Sequence, residues 1–399
     1  MKPHIAILAD FDTTKRPRPH RMIESLKSMA HLYVIARETS PESGARCFSF
    51  PAPTHNAQTR TKEQNEKIRS LCEQGDFAPL IYTKERECIP TILRSLPKLH
   101  LIIVEDIVLL PFACDYKRES SGGKCRKDEN HNSCKILVDL REFYPLEYED
   151  PAWLSGLGKL FSHLCTHYLP QADACLCVSE PIAARYEREF GVKSTLYYSL
   201  PPFYNLSPSP IESSTTPASP LRLIYHGLIS AERGSTNLLE LARLLGSGYE
   251  LSCMVLSNNT DYLAHFIRQA ESIPNLTILP PVCLEEIVPR CNEFDIGVIS
   301  LQDSSFNNKN AMPNKLFEYI QSRLCVISTP LDSLRTFFAR YPVGRVAQGY
   351  GAPELARAIT SLSCEEILEY KRASHTCARE LSLETNAQKA RDLVRALLD

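Results

Sequence analysis

Two doubly wound α/β domains are the fold this sequence predicts, on three observations. The chain has 399 residues, more than one hydrophobic core usually serves. Short apolar runs of buried parallel-strand type alternate with amphipathic stretches through its first half. The alternation stops at a segment rich in Ser, Thr and Pro and then starts again.

Taken in order, HIAILA (4–9), HLYVIA (31–36), LHLIIVED (99–106), KILVDL (135–140), ACLCVS (174–179) and STLYYS (194–199) read as strands. RMIESLKSMA, PAWLSGLGKLFSHLCTHYL and EPIAARYEREFG between them read as helices, the last stopped by Gly191. This rhythm defines a first domain, 1–204, interrupted by a polar insertion, 112–135, that reads as a mobile loop. NLSPSPIESSTTPASP, 205–220, has no periodicity and reads as an exposed linker. A second domain, 221–385, restarts with the strand LRLIYHG and the helix STNLLELARLLG. LSCMVLS, YLAHFIRQAES, LTILPPV, LEEIVPRCNEF and DIGVIS follow, then MPNKLFEYIQSRLCVIST and a further αβα stretch. A last helix, 386–399, can cross back to the first domain.

Composition excludes several function classes. A formal net charge of −2 argues against a nucleic-acid binder that works by bulk charge. No uncharged apolar stretch approaches membrane-spanning length, and MKPHIAILADFD runs into a strand pattern without the cleavage site of a secretory signal. The 15 cysteines lie mostly in apolar strand or helix patterns, which suits reduced thiols in a cytoplasmic protein. Neither G-x-G-x-x-G after the first strand nor G-x-x-x-x-G-K-[ST] is present, so hydride transfer and ATP hydrolysis are not expected. Cys114, Cys125, Cys134 and His131 share the insertion, but their spacings fit no standard zinc pattern, and no metal site is expected.

Two stretches point to an anion. In NNKNAMPNKLFEYIQSRLCVISTPL, Pro313 suits the first turn of a helix, and Met312 before it has no oxygen to cap the free amides. The N–H groups of Asn314, Lys315 and Leu316 are candidates for an outside acceptor. Asn314, Lys315 and Glu318 can share one face, with Leu316, Phe317 and Ile320 packing on the other. A cation at a helix N-terminus opposes the dipole, so Lys315 makes better sense beside a phosphate. The alternative is an ordinary surface helix with a Lys–Glu pair. In LRLIYHGLISAERG, a buried strand ends at Gly227, where a ligand can approach the backbone; Arg233 and Gly234 precede the next helix. Both stretches lie just beyond strand ends of one α/β domain, where such sheets bind ligands.

The sequence resembles the retaining GT-B glycosyltransferases of family 4, of the bacterial surface-polysaccharide and lipopolysaccharide type. Four blocks carry the resemblance: VDLREFYPLEYEDPAW (138–153), QADACLCVSEPIAARYEREFGVKSTLYYSLPP (171–202), LIYHGLISAERG, and LTILPPVCLEEIVPRCNEFDIGVISL with MPNKLFEYIQSRLCVIST. It implies the GT-B fold, two Rossmann-like domains facing a central cleft. The implied activity is metal- and cofactor-independent transfer of a sugar from a nucleoside-diphosphate sugar to a glycan or glycolipid hydroxyl. By resemblance, Glu318 binds the ribose hydroxyls, and Arg233 and Lys315 contact the diphosphate. Gly227, Gly234, Pro313, Asn314 and Leu316 line the nucleotide, and Pro281 and Val282 receive the base. Arg141 and Glu142 fall where the family places acceptor-side or sugar-contacting residues.

Some positions depart from the family pattern. Asn310 stands where E-x7-E has its first Glu, near the transferred sugar, and Leu228 follows Gly227 in place of the common Arg. The glycine-rich loop of the first domain is replaced by FDTTKRPRPHR (11–21). Its Lys15, Arg16, Arg18 and Arg21 read either as a solvated loop before a helix or as a face toward acceptor or membrane phosphates. The second reading carries the expectation of peripheral contact with the inner face of a membrane. Asn310 keeps open a non-catalytic relative that binds a partner or donor, and the fold also suits a nucleotide-sugar 2-epimerase.

Overall fold

The computed structural model describes residues 2–54, 59–121, 133–211 and 219–399. The chain divides into two compact units: Met1–Tyr198 with Asn386–Asp399, and Ser199–Thr385.

In the first unit β1 (His4–Ala9), β2 (His31–Arg37), β3 (Ala45–Phe50), β4 (Leu101–Val104), β5 (Lys135–Leu140), β6 (Ala174–Cys177) and β7 (Thr195–Leu196) form one sheet in the order β3-β2-β1-β4-β5-β6-β7. Every pairing is parallel. Near-continuous apolar strands explain this, because a parallel sheet is covered on both faces; Ile5 to Ala9 and Leu101 to Val104 are fully buried. The Glu180–Phe190 helix stops at Gly191, whose φ of 67° is left-handed. The strand β3 has no counterpart in the sequence reading. It is an edge strand whose Arg46 and Ser49 break the apolar run.

In the second unit β8 (Leu221–Leu228), β9 (Tyr249–Leu256), β10 (Leu276–Leu279), β11 (Ile296–Ile299), β12 (Cys325–Ser328) and β13 (Gly344–Val346) run in the order β10-β9-β8-β11-β12-β13, again all parallel. Counted from β8 this is 3-2-1-4-5-6, the Rossmann order. Its direction of winding reverses between β8 and β11, so their carboxyl ends flank a crevice.

Three local expectations are corrected. The segment read as an insertion from 112 begins inside a helix, Leu110–Ser120, whose Phe112, Ala113 and Cys114 are buried. Cys125 and His131 lie outside the described residues. Cys114 and Cys134 are buried thiols whose pKa values burial pushes up to about 12. Second, residues 11–21 are not an open basic loop. They form a short 3-10 turn, Thr13–Lys15, and enter the helix Pro17–Leu26. Arg18 and Arg21 are buried on that helix, while Lys15 and Arg16 stay exposed. Third, the linker's described start is pinned: the Ser209 hydroxyl donates to the Asn292 carbonyl at 2.7 Å and receives the ammonium of buried Lys371 at 3.3 Å. Residues 212–218 lie outside the described residues. Among the described residues, no helix is long and apolar enough to cross a membrane.

Candidate functional site

Four segments of the second unit meet at the carboxyl end of β8. Gly227 has φ 117°, a conformation open to glycine and strained for other residues. A side chain there would start 3.5 Å from the Lys315 ammonium. The next turn is clasped by two serines: Ser230 N–H donates to the Ser235 hydroxyl at 3.1 Å and Arg233 N–H to the Ser230 hydroxyl at 3.3 Å. Gly234, at φ 62°, closes the turn. A Cβ there would sit 2.6 Å from Gln302, in the loop after β11, so only glycine lets the two loops approach. The Tyr350 carbonyl ties them, accepting from Asn237 at 2.9 Å and Gln302 at 3.0 Å.

The helix Asn314–Gln321 aims its first turn at this place. Pro313 is its N-cap, so the helix begins one residue later than the sequence reading placed it; the cap has extended backbone and no side-chain hydrogen bond. The Leu316 amide donates to the Pro313 carbonyl at 3.0 Å, so it is not available to a ligand. The amides of Asn314 and Lys315 have no partner among the described residues, and the helix dipole adds positive potential.

Lys315 lies partly buried against β8, its ammonium 3.7 Å from the centre of the Tyr225 ring. Burial and the nearby Arg233 charge push its pKa down to about 7, against the pull of Glu318. Arg233 is exposed and makes no side-chain bond among the described residues. Two cations thus lie close to two amides that have no partner among the described residues. That is the electrostatic outline of an anion site.

Glu318 follows one helical turn later and is only 4% exposed. Its Oε2 lies 3.4 Å from Nε2 of His226, itself 5% exposed. Burial, and next the Lys315 charge, hold the imidazole pKa down to about 3, so it is uncharged at neutral pH. The helix itself is fastened by Tyr319. Its hydroxyl meets the carbonyls of Ile224 and Val298 and the amide of His226, each at 3.2 Å. The Tyr319 ring fills the space over Gly297, where a Cβ would lie 2.5 Å from it. Leu316, Phe317 and Ile320 are fully buried, on the side the periodicity assigned to packing.

Other predicted residues lie in different surroundings. Asn310 is buried and its amide nitrogen donates to the Phe306 carbonyl at 2.9 Å, which closes the short helix Phe306–Lys309. Pro281 is exposed and Val282 half-buried in the loop after β10. That loop leads into the Leu284–Cys291 helix, which is tied to the end of Asn314–Gln321 by the Ser322 hydroxyl on the Val288 carbonyl at 2.9 Å.

In the first unit, Arg141 leaves the carboxyl end of β5 with its guanidinium 4.7 Å from the Phe11 ring centre and 3.6 Å from Asp106. The Glu142 carbonyl accepts from Tyr186 at 2.8 Å. Arg18 is not a surface residue. Its guanidinium grips Asp139 of β5 through Nε at 2.5 Å and Nη2 at 2.6 Å, and also donates to the Tyr197 carbonyl. A buried aspartate needs such a partner, which is why the arginine turns inward. Beside this pair Glu105 is wholly buried at the end of β4, and neither carboxyl oxygen has a hydrogen-bond partner among the described residues.

Sequence reasoning missed His226, Tyr225 and Glu105 as functional or strained groups. The signal for His226 was a histidine set in an apolar strand next to a glycine. Nothing local marked Glu105, because an acid at a strand end is common.

The sequence matches no protein-family model. No curated protein matches it either. Solved structures match along the whole chain. The trehalose-6-phosphate synthase of Burkholderia multivorans is 11% identical, with a TM-score of 0.64, over 100% of this chain and 99% of that one. Anabaena HepE, in complex with UDP and glucose, is 10% identical, with a TM-score of 0.65, over 98% and 100%. WaaG, a glycosyltransferase of lipopolysaccharide biosynthesis, is 11% identical, with a TM-score of 0.58, over 98% and 99%. At this level of identity the likeness speaks for architecture, and the chain has the GT-B fold, built of two parallel-sheet Rossmann-like domains.

Proposed function

We propose that the protein is a glycosyltransferase that moves a sugar from a nucleoside-diphosphate sugar to a hydroxyl of a glycan or glycolipid, with retention of configuration. One observation carries this reading. Arg233 and Lys315 lie near one another and near the amides of Asn314 and Lys315, which have no partner among the described residues, and the Glu318 carboxylate lies one turn away. That spacing suits a diphosphate held by cations and amides, and a ribose whose hydroxyls donate to a carboxylate. The fold is that of structures described as binding UDP and glucose or as glycosyltransferases, which supports the same reading.

On this reading the bond between the anomeric carbon and the diphosphate breaks as charge builds on the departing phosphate. Arg233, Lys315 and the helix amides stabilise that charge without moving, as fixed donors. The acceptor oxygen bonds to the anomeric carbon on the same face, and its proton passes to the phosphate oxygen that leaves. No residue of the site is required to act as a base, and no metal is assigned. Gly227 and Gly234 admit the phosphates close to the backbone, and Pro281 and Val282 border the base. Arg141 and Glu142 contribute to the acceptor side.

Isothermal titration against UDP, GDP, ADP and CMP tests the reading. One of them is expected to bind. Glu318→Ala is expected to weaken it by roughly 1.5–3 kcal/mol, the usual value of hydrogen bonds to a charged group. If no nucleotide binds the wild type, the reading fails. A second reading, a donor-binding protein without turnover, is favoured by Asn310, whose buried amide is tied to Phe306 instead of carrying a charge. Donor hydrolysis or transfer that Lys315→Ala abolishes would exclude it. Incubation with donor alone, followed by NMR for an epimer, separates either from an epimerase.

A further inference from the structure

We infer that His226 is a positioning residue that fixes the carboxylate of Glu318, and that this contact gives the site its preference for ribose over 2′-deoxyribose. The inference rests on the nucleotide reading above and extends it to a residue given no role in that reading.

His226 and Glu318 face one another, 5% and 4% exposed, with Nε2 and Oε2 3.4 Å apart. Nε2 is buried and has no hydrogen-bond partner among the described residues, so the carboxylate is the acceptor it points to. The ring cannot turn away. Tyr319 meets it edge-to-face, with centroids 5.1 Å apart and planes at 84°, and the same Tyr319 hydroxyl accepts the His226 amide. An uncharged imidazole opposite a carboxylate must present its N–H, which sets the proton on Nε2. At 3.4 Å the separation is at the long end for a hydrogen bond.

The consequence concerns selectivity. A carboxylate offers several acceptor positions, and fixing one of them sets the plane of the rest. A fixed plane aimed at two neighbouring hydroxyls is left unmatched when one hydroxyl is missing, and that mismatch is costly in a buried site. A carboxylate free to rotate would re-aim and discriminate less.

The test measures Kd for the ribo and 2′-deoxyribo forms of the nucleoside diphosphate that the wild type binds tightest. It compares wild type with His226→Phe, His226→Asn and His226→Gln. A ratio of two ligands on one preparation cancels any unfolded fraction. The wild type is expected to favour the ribo form by about tenfold or more. Phe and Asn should shrink the ratio at least about fivefold, chiefly by weakening the ribo form. Gln should keep it within about twofold, because its amide nitrogen reaches the place of Nε2 whereas that of Asn reaches only the place of Nδ1. A wild-type ratio in the Phe or Asn variant, or equal loss in Gln and Phe, overturns the inference. So does a wild type that binds both forms equally, although the nucleotide reading then survives. A wild type that binds no nucleotide overturns both.

Discussion

Lys315 is partly buried and Glu105 wholly buried, and the two have opposite consequences for pH. Burial and Arg233 depress the Lys315 pKa to about 7, and a bound phosphate would favour the charged form. Donor binding should therefore be nearly constant below about pH 7 and weaken above it, as a proton must be taken up on binding. Titration with a nucleoside-diphosphate sugar, whose phosphates keep their charge over this range, should show the fall. Lys315→Arg should flatten it, because a guanidinium stays charged. Glu105 is the reverse case. Burial, then the Asp139 charge, raise its pKa well above the usual carboxylate range, against the pull of Arg141 and Arg18. The folded state then holds a proton that the unfolded chain releases, so stability is full below the ordinary carboxylate pKa. It is lost as pH rises from there toward about 8. Glu105→Gln should raise the melting temperature more at pH 8.5 than at pH 5, with a gain of roughly 1–3 kcal/mol at the higher pH. Equal shifts at both would contradict a protonated Glu105.

The Asn314–Gln321 helix combines two jobs that pull on its composition. Its buried side supplies Leu316, Phe317, Tyr319 and Ile320 to the core, and its first turn is left uncapped. An uncapped end costs helix stability, so something else must hold the helix in place. Tyr319 does so, by joining β8 and β11 through one hydroxyl at the point where the sheet reverses. Tyr319→Phe would leave two buried carbonyls and one buried amide with one partner fewer. A loss of about 1–3 kcal/mol is expected by denaturant titration. Nucleotide affinity should fall with it, since Lys315 and Glu318 ride on the same helix. Unchanged stability would show that the hydroxyl is not what anchors it. The 3.6-residue period told which side of this helix is buried. The role of Tyr319 was not legible, because its partners are 21 and 95 residues away.

At the scale of the molecule, the last residues matter to the first unit. Asn386–Asp399 belongs with Met1–Tyr198, where Ala390 and Val394 are buried in one core with Ile5, Ile7, Met22 and Val34. Asn386 donates to the Tyr198 carbonyl at 2.6 Å, and Arg391 to the Ser25 carbonyl at 3.2 Å. A chain ending at Thr385 would expose that apolar face. The loss is about 3–5 kcal/mol from the area uncovered. Scanning calorimetry should show a fall on the order of 10 °C for a unit of this size. A transition of the first unit that does not move would show that the helix is dispensable.

The sequence by itself determined the alternation of strands and helices, and with it two Rossmann-like sheets. Buried parallel strands are continuous apolar runs, and a run of that kind is visible locally. It also pointed to the place where Gly227, Gly234 and the start of the Asn314–Gln321 helix come together, because glycines and helix starts after strand ends are local signals. The edge strand β3 stayed hidden, since its half-exposed face lacks the apolar run. Only the tertiary structure decided which charges face solvent and which turn inward. Arg18 reads as part of a basic loop, yet it is buried because Asp139 lies 121 residues away in sequence and beside it in space. His226 reads as a strand end, yet it meets Glu318 because β8 and the Asn314–Gln321 helix pack together. A charge's environment is set by residues distant in sequence, and burial multiplies the cost of each unmatched charge.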